Sequence, residues 1–270
     1  MSTWDFTVLR MARRSPWPDS EGCSNGLMSS NAESRSSSLP AKASTEAQAP
    51  IIAVVSDVVC PWCVIGKRRL EEALALLDRP DVRVHWRPFE LNPDAPKQGI
   101  DRQSHRARKF GSLVRAQELE AGVAAAGAEE GIQFRFDRIQ KIPNTFEAHR
   151  LIWFAGREGV QDAVVDGLFR AYFVDAEDVG EVDVLKRIGA ESGLDAGRLD
   201  QLFAEMLGTE QLIAEQRAVR MRGVNSVPTF FVNGEAVTSG AHKPELLAAF
   251  LGQALGPGLS QCPPDNGRCG

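Results

Sequence analysis

Ile51-Ile52-Ala53-Val54-Val55-Ser56-Asp57-Val58-Val59-Cys60-Pro61-Trp62-Cys63-Val64-Ile65-Gly66-Lys67 is the stretch that decides the fold. Ile51 to Val55 is a short, continuous apolar run rich in β-branched residues, the pattern of a strand buried on both faces. Cys60-Pro61-Trp62-Cys63 follows directly. After it, Cys63, Leu70, Leu74 and Leu77 fall on one helical face. Pro61 suits the first helical turn, where its missing N–H costs nothing. The order is strand, cysteine turn, helix.

Two cysteines two residues apart at a helix start are able to close a small disulfide ring. The helix N-terminus carries a partial positive charge and free N–H donors. Both favour a thiolate over a thiol, and a thiol that ionises readily is also a good leaving group. Cys60, on the outer side of the turn, is the expected attacking sulfur, and Cys63, facing the helix interior, the expected resolving sulfur. The competing reading is half of a zinc site completed by Cys262 and Cys269. Zinc knuckles sit in turns between short strands rather than at the mouth of a long helix, so the expectation is a redox pair and no metal.

Working outward, Val82-Arg83-Val84-His85-Trp86-Arg87 alternates as a second strand, ended by Asn92-Pro93-Asp94-Ala95-Pro96. Residues 101–222 read as mostly helical. Asn144 followed by Glu147 resembles a capping box, and Gly193 and Gly223 are stops. Val227 to Val232 reads as a strand, Asn233-Gly234 as a hairpin turn and Glu235 to Thr238 as its partner, before a last helix opened by Pro244. Strands at both ends with helices between them indicate one α/β sheet interrupted by a helical insertion. The expected division is a tail at 1–49, a sheet domain in two parts at 50–100 and 223–256, a helical insertion at 101–222, and a second tail at 257–270.

Ser56 to Lys67 resembles the active-site signature of the DsbA-like thioredoxin family. The nearest branch is the FrnE-type oxidoreductases, related to the 2-hydroxychromene-2-carboxylate isomerases. Arg87-Pro88-Phe89-Glu90-Leu91-Asn92-Pro93, Ile142-Pro143-Asn144-Thr145 with Ala148-His149-Arg150, and Gly223-Val224-Asn225-Ser226-Val227-Pro228-Thr229-Phe230 carry the likeness along the chain. It implies a thioredoxin fold with an inserted all-helical domain. It also implies that Pro228 is cis and faces the dithiol, with the Val227 backbone offered to substrate. Read alone, Pro228 is a proline opening a strand beside a turn. Ser226 stands where the family often has Gly, and Gly240-Ala241-His242 where Gly-Ala-Gln is usual.

Bulk properties narrow the field. The 270 residues are 43% hydrophobic and carry a net charge of −5, and they show no basic run, which argues against a nucleic-acid partner. The longest apolar stretch, Ile51 to Val55, is far too short for a bilayer. Residues 1–49 are rich in Ser, Ala and Pro, without the apolar core of a secretory signal, so the expected location is the cytoplasm. Cys262-Pro263-Pro264-Asp265-Asn266-Gly267-Arg268-Cys269 reads either as a second redox pair or as two idle thiols. His149 reads as a partly buried helix histidine or as a substrate contact in the cleft. Trp62 is a candidate groove wall, and Trp86 a core residue.

The expected function is thiol–disulfide exchange on protein or small-molecule thiols and disulfides, with no bound cofactor and with glutathione as a redox partner. A glutathione-dependent isomerase or transferase is the alternative. Those relatives carry Ser at the first active-site position, where this chain has Cys60. A holdase-like binding protein is the third reading. In a reducing cytoplasm, reductase or isomerase activity is favoured over net oxidation. Oligomeric state is left open.

Overall fold

A computed structural model describes residues 49–256. In chain order the elements are β1 (Ile51–Ser56), α1 (Pro61–Leu76), β2 (Arg83–Pro88), β3 (Ile100–Asp101), α2 (Arg102–Phe110), α3 (Leu113–Glu129), β4 (Lys141–Ile142), α4 (Phe146–Arg157), α5 (Gln161–Phe173), α6 (Val182–Glu191), α7 (Ala196–Ala204), α8 (Thr209–Met221), β5 (Thr229–Val232), β6 (Glu235–Ser239) and α9 (Pro244–Leu255). The main sheet has the order β2-β1-β5-β6. β1 is parallel to β2, from Ile51 opposite Arg83 to Ser56 opposite Pro88, and antiparallel to β5.

The central place of β1 explains its unbroken apolar sequence. Ile52 and Val54 enter the main core, which they share with Leu70 and Ala73 of α1 and Leu247 and Leu251 of α9. Ala53 and Val55 point the other way, into a smaller cluster with Phe89, Val219 and Phe231. Each fully buried Ile or Val side chain stabilises the fold by about 1.5–3 kcal/mol relative to exposure.

The local signals fold as read at several points. Asn233 and Gly234 both have positive φ, 48° and 86°, as a type I′ hairpin turn requires. Gly193 and Gly223, at φ 96° and 79°, end α6 and α8 in the left-handed conformation that glycine adopts without a Cβ clash. Trp86 is a core residue: it meets Phe169 edge-on, and its Nε1 donates to Asp162 Oδ1 at 3.0 Å.

Other points need correction. The Asn144/Glu147 capping box does not form: Thr145 occupies the N-cap position of α4, and its side chain makes no capping hydrogen bond. Asn144 instead accepts from the Phe146 N–H at 3.0 Å and donates to the Ala95 carbonyl at 2.7 Å. Glu147 pairs with Arg150 rather than reaching back to the helix start. The segment that reads as helical also carries β3 and β4, which pair with each other. Two residues per strand is too short for any periodicity to register. Among the described residues, no helix is long and apolar enough to cross a membrane.

Candidate active site

Cys60 is the N-cap of α1 in extended conformation, and Pro61 opens the helix. The Cys60 N–H donates to the Asp57 carbonyl at 3.1 Å, and the Cys63 N–H to the Cys60 carbonyl at 3.0 Å. The turn is therefore closed by its own backbone, and both sulfurs are free thiols. Cys63 is sealed in the core at 0% exposure, and Cys60 is only 6% exposed. Burial, followed by the adjoining Cys60 sulfur, pushes the Cys63 thiol well above its ordinary range; hydrogen bonds from Ser56 and from the Asp57 backbone oppose this.

The Val227–Pro228 bond is cis. It brings the Val227 carbonyl to 3.7 Å from Cys60 Sγ, which donates to it. Pro228 is held from behind by α1, where a Cβ on Gly66 would lie 2.8 Å from Pro228 Cγ. Gly66→Ala is therefore expected to displace the proline loop. It should slow alkylation of Cys60 or substrate turnover about tenfold, for a structural cost of about 1–3 kcal/mol. A variant with parental rate and melting temperature would show that the loop absorbs the methyl group.

Ser226 does not disturb this loop. Its hydroxyl bonds that of Ser239 at 2.9 Å, and its carbonyl accepts from Thr229 Oγ1 at 2.8 Å. His242 is half-buried, bonded to Thr238 Oγ1 at 2.9 Å and edge-on to Phe250.

Cys60 opens into a cavity of about 480 Å³ between the dithiol and the inserted helices. Pro61, Trp62 and Val227 form its near wall. Trp62 is 41% exposed at its side. His149 is not on this wall, which corrects the expectation of a substrate contact. It is 2% exposed, with Nε2 3.3 Å from Oδ1 of the fully buried Asp57. The other Asp57 oxygen accepts from the Leu91 N–H at 2.7 Å. α4 carries a long apolar face, and His149 lies on it, turned toward the β1–α1 turn.

The sequence reading missed Asp57 as a buried group, and it missed the α2 side of the cavity. Arg102, His105, Arg106 and Lys109 line it at helical spacing i, i+3, i+4, i+7. That spacing is the signal that marks them as one face.

Glu71, Asp162 and Asp166 are the one group among the described residues spaced to hold a metal ion. The buried Lys67 ammonium already sits among them, 2.5, 2.9 and 3.1 Å from their oxygens. This cluster ties α1 to α5 through a cation that the protein supplies itself. Cys23, Cys262 and Cys269 lie outside the described residues.

A family model described as the DSBA-like thioredoxin domain matches residues 51–252. The chain belongs to the DSBA-like thioredoxin family. A crystal structure described as a probable DsbA oxidoreductase from Streptomyces coelicolor is 30% identical. It superposes with a TM-score of 0.70 over 80% of this chain and 93% of that chain. The Bacillus subtilis protein YwbO is 28% identical over 191 residues, 70% of this chain and 90% of YwbO. The fold is also that of the cytosolic disulfide reductase DsbM from Pseudomonas aeruginosa, solved with GSH. That structure has 21% identity and a TM-score of 0.53, covering 76% of this chain and 98% of that one.

Proposed function

We propose that this chain is a thiol–disulfide oxidoreductase in which Cys60 attacks and Cys63 resolves. The observation that carries the reading is the Cys60 sulfur at the N-cap of α1, 3.7 Å from the Val227 carbonyl beside a cis proline, with Cys63 sealed one turn further in.

In the reducing direction, the Cys60 thiolate attacks one sulfur of a substrate disulfide. A Cys60–substrate disulfide forms and one substrate thiolate leaves. Cys63 then gives up its proton and attacks Cys60 Sγ. The Cys60–Cys63 disulfide forms and the second substrate thiolate leaves. Two electrons pass from the dithiol to the substrate, and two molecules of glutathione, oxidised together to one glutathione disulfide, restore the dithiol. No bound cofactor enters the scheme. We place the chemistry in the cytoplasm and in the reducing or isomerising direction; a reducing glutathione pool and the fold shared with a cytosolic disulfide reductase support this.

The test is a redox titration of the full chain in glutathione buffers, with each cysteine followed by peptide mass spectrometry. A cooperative two-electron transition at Cys60–Cys63 is expected, and its midpoint assigns the direction. A lasting glutathione adduct on Cys60 that Cys63 never displaces would overturn the dithiol reading in favour of a glutathione-dependent isomerase or transferase. The same spectra report whether Cys262 and Cys269 exchange with the pair.

A further inference from the structure

The geometry points to a substrate class: a low-molecular-mass disulfide with an apolar body and a carboxylate at one end, rather than a folded protein. This rests on the disulfide-exchange reading above and specifies what enters the site.

Access is the first argument. Cys60 is 6% exposed and lines the cavity, so a disulfide reaches it through that space. A volume of about 480 Å³ lies in the range of small-molecule sites. A folded protein presents its disulfide on a surface too broad to follow it into a recess of that size.

The walls supply the second argument. Away from the sulfur the lining is apolar, with Leu91, Val123, Phe136, Ile139, Ile142 and Phe173. Tyr172 is also there, but its hydroxyl donates to the Lys141 carbonyl at 3.1 Å and is committed to the fold. Such a wall holds an aromatic or branched aliphatic body by burial, without asking for many hydrogen bonds.

Charge is the third. Arg102, Arg106 and Lys109 line the α2 side, and Glu120 of α3 is the one carboxylate in the lining. Glu120 pairs with both arginines. Three cations against one anion leave a positive surplus in a chain whose net charge is −5. Asp101, next in sequence, is occupied as the cap of α2, accepting from the Ser104 N–H at 2.8 Å. A cationic face at the side of an apolar recess, with Lys109 exposed at its edge, concentrates an anionic ligand and raises its encounter rate. An apolar recess with a carboxylate-seeking end and a thiol on its floor thus selects an acidic, apolar disulfide. Its two sulfurs take the two electrons of the Cys60–Cys63 dithiol and leave as thiols.

The reduced full chain is to be mixed with two aromatic disulfides, the dianionic dithiobis(nitrobenzoate) and the neutral dithiodipyridine. Each rate is divided by that of free cysteine with the same probe. The anionic-to-neutral ratio is expected to exceed that of free cysteine by about tenfold or more at low salt. Lys109→Glu should lower the ratio about tenfold, whereas Lys186→Glu on α6, outside the cavity, should leave it where it was. An unfolded variant would expose Cys60 and drift toward the ratio of free cysteine, so the Lys109→Glu result counts only with a parental melting temperature, which the exposed position of Lys109 favours. A ratio equal to that of free cysteine and insensitive to Lys109→Glu would overturn the proposal. So would faster oxidation of the pair by a disulfide-bonded protein than by the anionic probe. If neither probe oxidises Cys60 and Cys63 to a disulfide, the exchange reading itself fails, which is a different result from a missing charge preference.

Discussion

Cys63→Ala is expected to accumulate a covalent substrate adduct on Cys60 and to lose catalysed disulfide reduction by roughly a thousandfold or more, as removal of one member of a catalytic unit does. The first attack needs only Cys60 at the N-cap of α1, which the variant retains. Release needs a second thiol within reach of Cys60 Sγ, and that thiol is Cys63, enclosed by the core. In the parent protein, burial holds the Cys63 thiol above its ordinary range. At neutral pH it is therefore mostly protonated, and release should quicken as pH rises and the thiolate fraction grows. Intact-mass spectrometry after a single addition of substrate disulfide reads both effects: a persistent adduct in the variant, and in the parent an adduct that clears faster at higher pH. Turnover at the parental rate in Cys63→Ala would mean that Cys60 works alone, with an external thiol completing the exchange.

Much of this arrangement was legible in the sequence, and the parts that were not share a cause. A strand buried on both faces writes itself as an unbroken β-branched run, and Ile51 to Val55 does so because β1 lies between β2 and β5. The Asn233-Gly234 turn and the glycines after α6 and α8 are equally local, since positive φ restricts the residue types that fit. Pro228 was different. A proline opening a strand is ordinary, and the cis bond entered as an implication of the family likeness. His149 and Asp57 are far apart in sequence, and neither carries a local mark of the other. Their pairing exists because α4 crosses the β1–α1 turn, and topology at that range leaves no periodic trace. The α2 cations are an intermediate case. Their spacing is visible in the sequence, but its meaning depends on where the inserted helices come down relative to Cys60.

The helical insertion therefore has to be held in place for the cavity to exist, and Arg150 shows how. It lies on α4 beside His149, with a side chain at 0% exposure. Its Nε donates to the Leu207 carbonyl at 3.0 Å, Nη2 to the Leu202 carbonyl at 2.5 Å, and Nη1 pairs with Glu147 at 2.5 Å. Leu202 and Leu207 bracket the end of α7 and the link to α8, where helix-terminal carbonyls lack partners within the helix. The planar guanidinium serves these three oxygen acceptors, and Met206 Sδ at 3.6 Å, at fixed angles, which neither Lys nor an apolar residue reproduces. The acceptors differ in what they lose. Leu202 O keeps the Leu207 N–H at 3.1 Å, and Glu147 is partly exposed and gains water. Among the described residues Leu207 O has no other protein donor, and this part-buried carbonyl carries most of the cost of the lost bonds. Arg150→Leu should therefore destabilise the protein by about 3 kcal/mol, read as a lower urea midpoint and a fall of roughly 10 °C in Tm. Arg150→Lys should recover part of this through the Glu147 pair alone. Because α4 also holds His149 against Asp57, three residues before Cys60, native Arg150→Leu should react more slowly at Cys60 with both probes. A loss below about 1 kcal/mol would mean that water replaces the guanidinium at the α7–α8 link, and the insertion would then be held mainly by its apolar contacts.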